Sequence, residues 1–166
     1  MAAVLLAASA IAAHADDLSD ALDAGRFTEA LRLTDARLKS APRDARLWTI
    51  RGIALERLER LPQSLASFER ALALDPESLA ALKGATEVAY RTRSPKAARF
   101  VQRVLTREPS DETAHAMAAA IAVEAGSCSD AVAHFARSGA ALLENRPALA
   151  QYGGCLLQQV DVKLGY

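Results

Sequence analysis

A ladder of small residues, Ala30, Ser64, Ala97 and Ala131, climbs the chain in steps of 34, 33 and 34 residues. A second ladder, Gly52, Thr86, Ala119 and Gly153, keeps the same steps. Small side chains recur where two helices must touch, so a chain with this period folds as a series of similar helical units. Pro42, Pro76 and Pro109 each stand twelve residues after the first three members of the first ladder. A proline there ends one helix and starts the next link.

Breakers subdivide each unit. Gly25 and Gly126 lie five residues before Ala30 and Ala131, and Ser94-Pro95 precedes Ala97, which gives each unit a helix, a short turn and a second helix. In the second helices, large apolar residues recur at helical spacing: Leu65, Phe68 and Leu72; Val101, Val104 and Leu105; Val132 and Phe135. These are core stripes. The chain has 166 residues, 51% of them hydrophobic but only 5% aromatic, with 8 Gly and 6 Pro. That composition favours close helix contacts and argues against disorder or a turn-rich β fold. The length fits one domain of ordinary size.

These residues resemble the tetratricopeptide repeat (TPR), whose pattern is W-x2-L-G-x2-Y, then A-x3-F, then P. The second unit matches best, with Trp48-x2-Arg51-Gly52-x2-Leu55, then Ser64-x3-Phe68, Ala71 and Pro76. The first keeps Gly25, Ala30 and Pro42, the third Ala97, Val101 and Pro109, and the fourth Gly126, Ala131 and Phe135. Tyr152-Gly153-x2-Leu156 follows. Departures include Arg51 for the Leu, Thr34 and Val101 for the Phe, and His115 for the Trp. The resemblance implies an all-α, right-handed superhelical solenoid of antiparallel helix pairs with a concave inner face. Repeats are expected at about 11–44, 45–77, 78–111 and 112–145, with a cap or partial fifth repeat at 146–166.

The start of the chain reads differently. From Ala2 to Ala13 there is no charge, and Ala13-His14-Ala15 precedes Asp16-Asp17. An apolar run before a small-x-small site resembles a secretory signal over residues 1–15, although no Lys or Arg precedes it. The competing reading is that Ile11 to Ala24 is the first amphipathic helix. Twelve residues cannot span a bilayer, which takes ~20, and no later run is long enough. The signal reading implies a periplasmic or secreted protein; without cleavage it is cytoplasmic.

Two cysteines bear on the same question. Cys128 opens a second helix and Cys155 falls toward the end of the following first helix, so antiparallel neighbours bring the two thiols within reach. A disulfide there would close a loop and stabilise the terminal pair by roughly 3 kcal/mol, and disulfides persist outside the cytosol. The alternative is two separate buried thiols. Neither these cysteines nor His115 and His134 have metal-site spacing, no Cys-x-x-Cys-His occurs, and no cofactor is expected.

No nucleophile elbow, Walker loop, H-E-x-x-H or dinucleotide fingerprint is present. His115 stands where the repeat has a core aromatic, which favours packing with one hydrogen bond over general-base work. The chain therefore reads as a non-catalytic interaction protein. Lys+Arg and Asp+Glu balance at 20 each, so no whole-chain basic field draws it to nucleic acid.

In TPR proteins the inner face is lined by the first helix of each repeat. By phase, that face includes Arg46, Thr49, Ile50, Ile53 and Arg57, then Lys83, Glu87 and Tyr90, then Ala116, Ala120 and Val123. Such a groove suits an extended peptide or an amphipathic helix. The single Asn, Asn145, is off this face, which disfavours the Lys/Asn carboxylate clamp of the family's chaperone-tail binders. Arg99, Arg103 and Arg107 form an acid-free stripe at spacing four. It is either a solvated outer face or a dock for an acidic partner. The function expected is a scaffold or adaptor for a protein or peptide; the alternative is a segment of a longer TPR scaffold whose specificity lies beyond residue 166.

Overall fold

A computed structural model describes residues 17–143 and 146–164. The expected signal segment 1–15 lies outside them, as does Asn145. Every described element is helical: α1 (17–23), α2 (Phe27–Leu38), α3 (Ala45–Arg57), α4 (Leu61–Leu74), α5 (Leu79–Arg91), α6 (Ala97–Arg107), α7 (Glu112–Glu124), α8 (Cys128–Phe135), α9 (Gly139–Leu143) and α10 (Arg146–Leu164). They fall into two compact units that divide between Val88 and Ala89.

Local chemistry sets the helix ends. The Asp44 carboxylate accepts from the amides of Arg46 at 2.8 Å and Leu47 at 3.2 Å ahead of α3. Asp111 accepts from the Ala114 amide at 2.8 Å ahead of α7. Both satisfy first-turn donors that have no partner within the helix. Pro62 sits in the first turn of α4, where its missing N–H leaves nothing unpaired. Gly25 and Gly126 turn the chain after α1 and α7 at φ of 70° and 75°, a left-handed conformation that glycine adopts without strain.

In the first unit α3 packs against both α2 and α4. Here the two ladders meet: the Ser64 hydroxyl of α4 donates to the Gly52 carbonyl of α3 at 2.8 Å. One turn on, the fully buried Phe68 ring lies against Gly52 and against Gly84 of α5. Ala21, Ala30, Leu31, Ala54 and Leu55 form one cluster, and Leu18, Leu38 and Leu47 another. Thr34, where the repeat has Phe, is buried with its hydroxyl donating to the Ala30 carbonyl at 2.6 Å.

In the second unit α6 buries Ala97, Phe100, Val101, Val104 and Leu105. α8 packs on α7 and α10, around Ala119, Ala131, Phe135, Ala148 and Cys155. Cys128 and Cys155 are joined as a disulfide with Cα atoms 5.1 Å apart. Two details differ from expectation. α10 is 19 residues long, because no proline interrupts it after Pro147, so Cys155 stands mid-helix rather than near its end. The five-residue α9 was not foreseen. It turns in at Gly139, φ 50°, and the Ala140 amide donates to the Glu112 carboxylate of α7 at 3.0 Å.

Candidate functional site

On α3, Arg46, Ile50, Ile53 and Arg57 recur at steps of four, three and four, so they share one helix face. The isoleucines are half-buried and the arginines at either end exposed. This is an apolar strip with a guanidinium at each end. Arg57 Cζ stands 5.9 Å from the Phe27 ring centroid, which holds that end over α2. Thr49, expected on the same surface, is a correction: it is 7% exposed and its hydroxyl donates to the Ala45 carbonyl at 2.9 Å. Spacing put it at the edge of the strip, but its hydroxyl is turned back onto the preceding turn of its own helix.

On α5, Lys83 is exposed and Glu87 and Tyr90 are half-buried. On α7, Ala116, Ala120 and Val123 are all half-buried. Val123 leans on the cluster around the disulfide, so part of its surface is already covered. On α6, Arg99 and Arg107 are exposed and Arg103 half-buried.

Departures from the repeat pattern have structural roles that the sequence did not reveal. Arg51, in the Leu position, donates through Nε to Asp35 of α2 at 2.7 Å and through a terminal nitrogen to Ser67 of α4 at 2.8 Å. Its Cζ lies 5.7 Å from the Trp48 ring. One guanidinium thus ties three helices. Trp48 donates from Nε1 to the Pro42 carbonyl at 2.9 Å. His115, in the Trp position of a later repeat, donates from Nε2 to the Pro109 carbonyl at 3.0 Å. Both acceptors stand six residues earlier, so the imidazole replaces the indole N–H.

That bond fixes the tautomer of His115, since a carbonyl can only accept. Its Nδ1 is left as an acceptor and receives Nδ1–H of His134 across 2.9 Å. Arg137 also donates to the Pro109 carbonyl, at 2.8 Å. Burial holds His134 below the usual imidazole range, with His115 and Arg137 adding to the effect and Asp130 opposing it. The two rings are committed to each other, and His115 to the backbone as well. Among the described residues no three His, Cys, Asp or Glu side chains converge as a metal would require, and no helix is long and apolar enough to cross a membrane.

The profile of the cytochrome c-type biogenesis protein H TPR domain matches residues 5–149. The chain belongs to that family. Its TPR domain matches no curated protein, but its fold recurs among solved structures. MamA 41-end from Desulfovibrio magneticus RS-1 is 18% identical with a TM-score of 0.75, over 91% of this chain and 86% of that one. A MamA RS-1 ArsTM double mutant gives 18% and 0.76, over 91% and 85%. YrrB, described as a TPR protein with an unusual peptide-binding site, gives 17% and 0.77, over 89% and 77%. At such identities the likeness establishes the all-α TPR solenoid fold.

Proposed function

We propose that this TPR domain is a non-catalytic adaptor that holds a peptide or helical segment of a polypeptide client during c-type cytochrome biogenesis, in the bacterial envelope. The family match over residues 5–149 carries the reading. The strip of Ile50 and Ile53 between Arg46 and Arg57 supplies what such a client needs, apolar anchors with charge at the rim. Lys83 and Glu87 are proposed as further lining in the first unit, and Tyr90, Ala116, Ala120 and Val123 as lining within the second. Envelope location is supported by the Cys128–Cys155 bond, since reducing compartments keep thiols free.

The binding test uses haem-free cytochrome c as the probe. Ile53→Asp places a charge in the middle of the strip and is expected to weaken binding by about tenfold or more. Unchanged affinity would remove α3 from the site. Arg99→Glu reports on the acidic-partner reading: a weaker salt dependence supports it, and an unchanged one restores the bland, solvated face. For location, the intact mass of the protein expressed in a bacterium from Met1, before and after reduction, decides. Loss of residues 1–15 with both thiols blocked supports export. A full-length chain with two free thiols sinks it.

A further inference from the structure

Among the described residues, only one of the three arginines on α3 is paired with a carboxylate: Arg51, with Asp35 of α2 at 2.7 Å. Arg46 and Arg57 are exposed and make no such ion pair. The carboxylates nearest them in sequence are turned to other work. Asp44 caps α3 by accepting from the amides of Arg46 and Leu47. Glu56, the one acid within α3, lies about 90° round the helix from the middle of the strip and has an interaction of its own. Arg57 is held at 5.9 Å by the Phe27 ring, an uncharged partner.

The spacing of the strip narrows what can lie on it. At about 100° per residue, Arg46, Ile50, Ile53 and Arg57 fall within an arc of about 60°, and the two arginines stand about 16 Å apart along the axis with the isoleucines between them. Ile50 and Ile53 differ by about 4.5 Å in rise. Same-side residues of an extended peptide are about 6.8 Å apart, whereas helix residues three or four apart differ by about 4.5–6 Å. The step between the isoleucines therefore matches a helix better than a strand. Steps of four, three and four read the same in both directions, so a helix with those steps registers along α3 either way.

Resting on the α3 groove of the proposed function, we infer that its occupant is an amphipathic helix whose apolar stripe is closed by an acid at each end: Asp or Glu, two large apolar residues, and Asp or Glu again, at steps of four, three and four. Charge complementarity selects this partner. The isoleucines alone would accept any apolar helix face, but a basic end would meet Arg46 or Arg57 as a like charge. The chain as a whole has 20 cationic and 20 anionic side chains, so the selection comes from this pair and not from a long-range field. Exposed pairs add little affinity each; their effect is register and rejection of the wrong partner.

The probes are three labelled helical peptides of alanine and glutamine, each with two leucines between end residues at steps of four, three and four, the end residues being Glu, Gln or Lys. They are titrated with the full chain at low salt and read by fluorescence anisotropy. The Glu peptide is expected to bind about fivefold more tightly than the Gln peptide, and the Lys peptide more weakly than either. Added salt shrinks the difference. Arg46→Gln with Arg57→Gln abolishes the discrimination, and Arg46→Glu with Arg57→Glu reverses it. Equal binding by the Glu and Gln peptides overturns the inference, as does a preference that survives in the Arg46→Gln, Arg57→Gln protein, or no saturation by the Glu peptide up to on the order of 1 mM. Equal binding by a Glu peptide broken with a central proline gives the strip to an extended segment and also overturns it. Ile53→Asp separates the two readings. If it weakens every peptide while Glu and Gln peptides bind alike, the groove stands and only the acid-ended helix is lost; if it weakens none, both fall.

Discussion

Phe68 and Gly52 can be tested against each other, because the structure requires the effect of one substitution to change sign with the other. The Phe68 ring is fully buried, and a Cβ at Gly52 would meet three of its carbons at 2.6 to 2.9 Å. Phe68→Ala is expected to cost about 3–5 kcal/mol. The upper end applies, since the walls at Gly52 and Gly84 have no side chains to collapse into the hole. Gly52→Ala alone gains about 1 kcal/mol of helix propensity but crowds the ring at a cost of about 1–3 kcal/mol, so it destabilises or at best is neutral. In the Phe68→Ala background the crowding disappears, and Gly52→Ala becomes stabilising by about 1 kcal/mol. The coupling energy is then the crowding cost itself, on the order of 1–3 kcal/mol. Chemical denaturation of the four proteins, followed by far-ultraviolet circular dichroism, measures it. A Gly52→Ala single variant more stable than wild type, or a coupling below about 0.5 kcal/mol, would refute the reasoning.

Other perturbations probe other links. Reducing the Cys128–Cys155 bond, which spans 27 residues of sequence, is expected to cost about 3.5 kcal/mol by chain entropy; hydrogen exchange should speed up in α8 and α10 while α3 and α4 keep their protection. His134 is held below the ordinary imidazole value of 6.5 in the folded chain, so the unfolded chain takes the proton first. Its contribution is complete above pH 6.5 and is lost as pH falls through the lower folded value; urea midpoints should drop on acidification, and His134→Gln should flatten that drop. Trp48→Phe keeps the ring but loses the donor to the Pro42 carbonyl. A loss of about 0.5–1.5 kcal/mol in urea denaturation is expected, and no loss would mean the bond contributes nothing net.

The repeat was legible because its signal is steric and local. Ala30, Ser64, Ala97 and Ala131 are all buried, and a contact that admits only small side chains leaves the same mark in each unit. Departures from the pattern were visible as departures, but their purpose was not. Arg51 reaches partners 16 residues away on either side, and His115 meets His134 across 19. Such pairs form only once two helices have settled on a crossing, which no single-helix period encodes. Gly84 was passed over for the same reason: its need for a missing side chain comes from Phe68 on another helix. The candidate inner face shows the complementary limit. Phase gives the direction in which a side chain leaves its helix but not the depth of what surrounds it, so Arg46 and Arg57 are exposed while Thr49 is buried and Val123 is drawn toward the disulfide cluster. The same distinction applies at Gly153. The ladder identified it as a position where helices touch, and the structure shows that among the described residues no side chain comes within 4 Å of where its Cβ would be.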